Sequence, residues 1–142
     1  RSEFVAQRIL PIVLQKAQDL VKKHRDLGDT LLVITSTIEF VTRPIVDEFG
    51  IDILIAPDPE IVSNRYTGRI VGVPSFAAGK VTRLEQWLAN RQDSLEGSSF
   101  YSDSHNDLPL LRLVDNPVAV DPDPILREKA EENQWSIISL RD

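Results

Sequence analysis

Hydrophobic and polar positions along this chain switch repeatedly between a strand-like and a helix-like period. Thr30 to Thr35 and Ile53 to Ala56 are short leucine- and isoleucine-rich runs suited to strands buried on both faces of a parallel sheet. Leu14, Ala17, Leu20, Val21 and His24 instead recur at helical spacing through Leu27, and Gly28 supplies a stop. The polar tip Thr35-Ser36-Thr37 leads into a helix over Glu39 to Phe49, closed by Gly50. Further on, the pattern predicts helices over Lys80 to Arg91, Leu108 to Val114 and Pro124 to Asn133. Strands are expected over Ser98 to Tyr101, Val118 to Val120 and Ser136 to Leu140. Glu60-Ile61-Val62 and Arg69-Ile70-Val71, separated by Ser63 to Gly68, read as a small antiparallel flap. Arg1 to Ile9 resembles the tail of a helix broken near Pro11. Apart from the flap, strand and helix alternate, which implies right-handed crossovers and an α/β fold: a three-layer, doubly wound parallel sheet.

Composition narrows the function. At 142 residues and 42% hydrophobic, the chain holds enough apolar material for one core. Its apolar runs are too short to cross a bilayer, and no basic-plus-apolar signal opens it, so a cytoplasmic location is expected. With no cysteine, disulfides, thiolate metal sites and cysteine nucleophiles are excluded. A net charge of −6 argues against nucleic-acid and anionic-membrane partners, which leaves a small molecule as the expected ligand. No methionine occurs, so the chain is expected to begin downstream of a natural N-terminus.

Chemistry concentrates where strands end. The strand Ser98 to Tyr101 runs into Ser102-Asp103-Ser104-His105-Asn106-Asp107, a polar loop with two carboxylates four residues apart. Ligands of open parallel sheets sit beyond the carboxyl ends of the strands, so Asp103 and Asp107 are candidate Mg²⁺ groups. Asp107 is equally placed to cap the helix starting at Leu108-Pro109. The hydroxyls of Thr35 and Ser36 and the amino group of Lys80, at a helix start, complete a set suited to a phosphoryl group. Each has a plainer role as well, Thr35 as a helix cap and Lys80 as a solvated first-turn lysine. A nucleotide P-loop at Gly79-Lys80 fails, because Pro74 stands where its first glycine belongs and Val81 where its hydroxyl residue belongs.

In this order, Leu32-Val33-Ile34-Thr35-Ser36-Thr37, Gly79-Lys80-Val81-Thr82-Arg83-Leu84 and Ser102-Asp103-Ser104-His105-Asn106-Asp107 resemble the second, third and fourth motifs of the haloacid dehalogenase superfamily, in its phosphoserine-phosphatase-like branch. The Arg65 to Arg69 flap and the segment Val118 to Pro124 are similar to the same branch. The resemblance implies a Rossmann-like core over residues 13–142, with residues 1–12 as the exit of a helical cap. It also implies a Mg²⁺-dependent hydrolase of small phosphomonoesters working through an aspartyl-phosphate. Thr35 would hydrogen-bond the phosphoryl group, Lys80 would pair with nucleophile and phosphate, Asp103 would ligate Mg²⁺, and Asn106 and Asp107 would position phosphate and metal.

One departure is large. The family attacks with the first aspartate of an Asp-x-Asp motif ending its first strand, and no such strand is expected before Thr35. Asp121-Pro122-Asp123 has the letters but reads as a turn capping the last helix. The isolated chain is therefore expected to be inactive, and poorly stable unless another segment supplies the central strand. A non-catalytic phosphate-binding relative is the alternative. A receiver domain is disfavoured because its acidic residues precede its hydroxyl and lysine, whereas Asp103 follows both here. His24, beside Lys22, Lys23 and Arg25, is expected at the surface, and His105 is expected to face solvent rather than substrate. Trp87 and Trp135 are expected to pack against the core and the sheet edge.

Overall fold

In the computed structural model, residues 4–7, 15–36, 39–63, 65–71, 77–91 and 94–141 are described. Among these residues eight strands and five α-helices follow one another: β1 (Phe4–Gln7), α1 (Gln15–Asp26), β2 (Thr30–Ile34), α2 (Glu39–Glu48), β3 (Ile53–Ile55), β4 (Asp58–Val62), β5 (Arg65–Val71), α3 (Ala78–Arg91), β6 (Ser99–Ser102), α4 (Leu108–Leu111), β7 (Asn116–Val120), α5 (Pro124–Glu132) and β8 (Ser136–Ile138). Six strands form a parallel sheet in the order β3-β2-β1-β6-β7-β8, and β4 and β5 form the separate antiparallel flap. The expected doubly wound α/β architecture is present.

Alternation along each strand divides the core between the two faces of the sheet. Leu32, Ile34, Phe100 and Ala119 meet Leu84 and Leu88 of α3, Leu110 and Leu111 of α4, and Leu126 and Ala130 of α5. Val33 packs instead with Val21 of α1 and Val46 of α2, and Tyr101 and Val120 with Ala17 of α1. Trp87 and Trp135 pack against the first cluster, and the Arg91 guanidinium lies 4.6 Å from the Trp87 ring centre.

Three expectations change. Phe4–Gln7 is a strand, not the end of a helix, and it fills the middle of the sheet, pairing with β2 on one side and β6 on the other. Two facing strand edges leave a row of unpaired amides and carbonyls, and a short Phe-Val-Ala-Gln stretch satisfies both. In this structure Phe4–Gln7 occupies that slot. The flap also closes more tightly than expected, with Val62 already paired to Arg65. The side chains of Tyr66 and Arg69, the residue Thr37 and the break near Pro11 lie outside the described residues.

The third change concerns His24, which is only 4% exposed rather than on the surface. Ala17, Val21 and His24 share the inner face of α1 at helical spacing, so the basic neighbours in sequence point elsewhere. Burial of the imidazole is offset by two hydrogen bonds, Nδ1 to Asp29 Oδ2 at 2.7 Å and Nε2 to the Tyr101 hydroxyl at 2.6 Å. His24→Ala is expected to cost on the order of 3 kcal/mol, because it removes packing and strips a partner from the buried Asp29 carboxylate. Urea unfolding of the variant checks this, and a loss below about 1 kcal/mol would contradict it.

Candidate active site

All six strands of the main sheet are parallel, so their carboxyl ends lie along one edge, and the polar loops expected from the sequence gather there. Thr35 follows β2 and Asp103 follows β6, with β1 between. Two strand spacings separate them, roughly 10 Å, with the end of β1 in the gap. Thr35 is buried, its amide donating to the Ile55 carbonyl at 2.9 Å, which ties the tip of β2 to β3. Ser36 is exposed beside it.

Lys80 settles a choice left open by the sequence. It lies in the first turn of α3, on the same inner face as Leu84 and Leu88, and is 1% exposed, so it is not a solvated lysine. Its Nζ sits 2.7 Å from Asp107 Oδ1, and Asp107 is equally buried. The other Asp107 oxygen accepts a hydrogen bond from the Ser102 hydroxyl. Asp107 occupies the N-cap position of α4 but makes no side-chain cap bond, so its carboxylate is turned to Lys80 and Ser102 instead. Charges this deeply buried persist only when paired.

The loop between Ser102 and Asp107 is bonded along its length. The Ser104 amide donates to Ser102 Oγ and the Asn106 amide to Ser104 Oγ, each at 3.1 Å, and the Asp107 amide donates to the Ser104 carbonyl at 3.1 Å. A 3₁₀ turn over His105–Asp107 results, leaving Asp103 and Asn106 partly exposed. His105 is also half-exposed, but it does not simply face solvent: its Nδ1 lies 2.9 Å from Asp123 Oδ2. The imidazole meets that carboxylate because the turn after β7 runs alongside the loop after β6 in neighbouring parallel strands.

Asp121-Pro122-Asp123 is a structural turn, as its late position implied. Asp121 adopts φ +42°, a left-handed conformation that aspartate tolerates, and its carboxylate accepts from the Leu140 amide at 3.0 Å. Asp123 caps α5 by accepting from the Leu126 amide at 2.7 Å. Burial pushes the Asp123 carboxyl up, but hydrogen bonds from Leu126 and His105 outweigh it and hold the group below the usual carboxylate value of 3.8. Sequence reasoning missed the Ser102 hydroxyl and the second role of Asp123. The only available signal for Ser102 was its place at the strand tip, five residues before Asp107.

Among the described residues no group of three or more His, Asp and Glu gathers to cage a metal. Mg²⁺ often takes only one or two carboxylates, filling its remaining positions with water and substrate phosphate. Asp103, partly exposed at the strand tip, suits that mode; the two Asp107 oxygens face Lys80 and Ser102.

Residues 1–112 match the sequence profile of the haloacid dehalogenase-like hydrolases. The chain belongs to that family. It is 46% identical over 143 residues to a Neisseria meningitidis protein named histidinol-phosphatase, covering 98% of this chain and 64% of that protein. A solved structure of a Bordetella pertussis protein superimposes with a TM-score of 0.86 at 48% identity, over 92% of this chain and 60% of that one. A phosphoserine phosphatase structure, representing a phospho-aspartyl intermediate analogue, superimposes with a TM-score of 0.70 over 92% of this chain and 60% of that one. At 20% identity that likeness concerns the fold alone. The chain thus spans roughly three-fifths of the length of these relatives.

Proposed function

We propose that this chain supplies the phosphate-binding part of a Mg²⁺-dependent phosphomonoesterase acting on a small phosphorylated metabolite. The observation carrying the reading is the buried Lys80–Asp107 pair at the edge where Asp103 and Thr35 also end their strands. A lysine held this firmly is preorganised to meet negative charge as it develops on a phosphoryl group, without rearranging at the moment of reaction. Asp107 and Ser102 fix the lysine. Thr35, Ser36 and Asn106 donate hydrogen bonds to phosphoryl oxygens, and Asp103 holds Mg²⁺, which when bound neutralises phosphate charge. The Neisseria relative's name makes histidinol phosphate the first substrate to test.

The reaction follows the family's covalent course. An aspartate carboxylate attacks phosphorus, forming an acyl-phosphate while the ester oxygen leaves as an alcohol after taking a proton from the second aspartate of the motif. Water, deprotonated by that same aspartate, then attacks the acyl-phosphate and releases inorganic phosphate and the free carboxylate. Neither aspartate of such a motif stands before Asp19 in this sequence, and β1, at the position next to Thr35 and Asp103, contains Phe-Val-Ala-Gln. Binding and turnover are therefore separable in this chain. Titration with inorganic phosphate in the presence of Mg²⁺, followed by ³¹P NMR, is expected to show saturable binding that weakens at least about tenfold in Thr35→Val, since each lost hydrogen bond to a charged group is worth about 1.5–3 kcal/mol. Equal binding by both proteins would remove Thr35 from the phosphate-binding set.

A further inference from the structure

Asp123 does more than begin a helix. Its backbone amide donates to the Asp103 carbonyl at 2.9 Å, and its Oδ2 accepts from the His105 amide at 2.8 Å. The same oxygen receives the His105 ring through Nδ1 at 2.9 Å, while Oδ1 accepts from Leu126. One residue therefore grips the acidic loop on both sides of Ser104, at the carbonyl of Asp103 and at the amide and ring of His105. A short turn would need only the Leu126 bond to cap α5, so the three bonds to the loop are extra to that role.

We infer that Asp123 is a positioning residue for the Asp103 carboxylate, setting the direction in which it meets Mg²⁺. This rests on the reading of Asp103 as the Mg²⁺ group. The physical basis is that a carboxylate on a loop binds a hard cation only as well as its backbone is held. Groups hydrogen-bonded behind a ligand commonly change metal affinity by 10- to 100-fold when removed. The Asp123 carboxylate holds the loop at His105, two residues beyond Asp103, so it fixes the backbone that carries the Asp103 carboxylate without touching the cation itself. His105 takes part through its backbone amide and through Nδ1, both of which meet Asp123 Oδ2.

Asp123→Ser separates the two roles, because serine caps a helix well but is too short to reach the His105 amide and ring as the carboxylate does. Mg²⁺ affinity of the full chain is measured by titration calorimetry with MgCl₂ alone, alongside the urea midpoint without Mg²⁺. The expected result is a loss of Mg²⁺ affinity of about tenfold or more with the midpoint nearly unchanged. Asp123→Asn, which keeps the capping oxygen but presents an amide NH₂ group to the His105 amide, is expected to weaken Mg²⁺ binding likewise. Wild-type affinity in both variants overturns the positioning role while leaving Asp103 as the ligand. Asp103→Asn distinguishes the deeper failure: if it too binds Mg²⁺ as the wild type does, Asp103 is not the metal group and the role of Asp123 falls with it.

Discussion

Lys80→Met is expected to lower the unfolding free energy by about 3–5 kcal/mol, a large share of the stability of a domain this size. Methionine nearly matches the volume of the lysine stem, so the loss reports the charge rather than a cavity. It leaves the Asp107 carboxylate, 1% exposed, with a hydrogen bond from the Ser102 hydroxyl but without its ion-pair partner. Such a group must either stay charged in a poor solvent or take up a proton, and both oppose folding. Adding Asp107→Leu to the same protein is expected to recover much of the loss, since an apolar pair of similar volume needs no compensation. Urea denaturation of the single and double variants supplies both numbers. A single-variant loss below about 1 kcal/mol would mean that the lysine is solvated after all.

The second large effect concerns turnover. With Mg²⁺ and either p-nitrophenyl phosphate or histidinol phosphate, this chain is expected to hydrolyse ester several orders of magnitude more slowly than a relative carrying Asp-x-Asp. Removing a covalent nucleophile from a group of residues that act together abolishes nearly all of their joint contribution, often on the order of 10⁶-fold. On the proposed reading Thr35 and Lys80, with Mg²⁺ at Asp103, would still bind phosphate, but binding ground and transition states alike does not accelerate the chemical step. Release of inorganic phosphate, followed over hours, is the measurement. Mg²⁺-dependent turnover abolished by Asp103→Asn would show that another group in this chain attacks phosphorus.

Much of the architecture was legible because the strands are short, β-branched and closed by polar tips. Thr30–Ile34 and Ile53–Ile55 fall where the hydrophobic runs place them, as do the helices that start near Lys80 and Pro124. Phe4–Gln7 was not legible, since four residues of moderate apolarity carry no period of their own and become a strand only through the two edges they join. His24 was misread because three basic neighbours outweighed its place in the i, i+4, i+7 series of Ala17, Val21 and His24, although that series already pointed inward. The competing roles of Asp107 and Lys80 could not be separated by spacing alone. A cap and an ion pair ask for the same residue at the same position, and only the direction of the side chain distinguishes them.

The proposed oxyanion site is tested most directly by locating a bound tetrahedral oxyanion. Anomalous diffraction from crystals of this chain grown with Mg²⁺ and soaked in tungstate, a phosphate mimic, gives its position without ambiguity. The account predicts one dominant peak at the carboxyl edge of the sheet, within hydrogen-bonding distance of Thr35 Oγ1 and Lys80 Nζ and on the same side as Asp103. A dominant peak elsewhere, or an oxyanion that touches neither Thr35 nor Lys80, would contradict it.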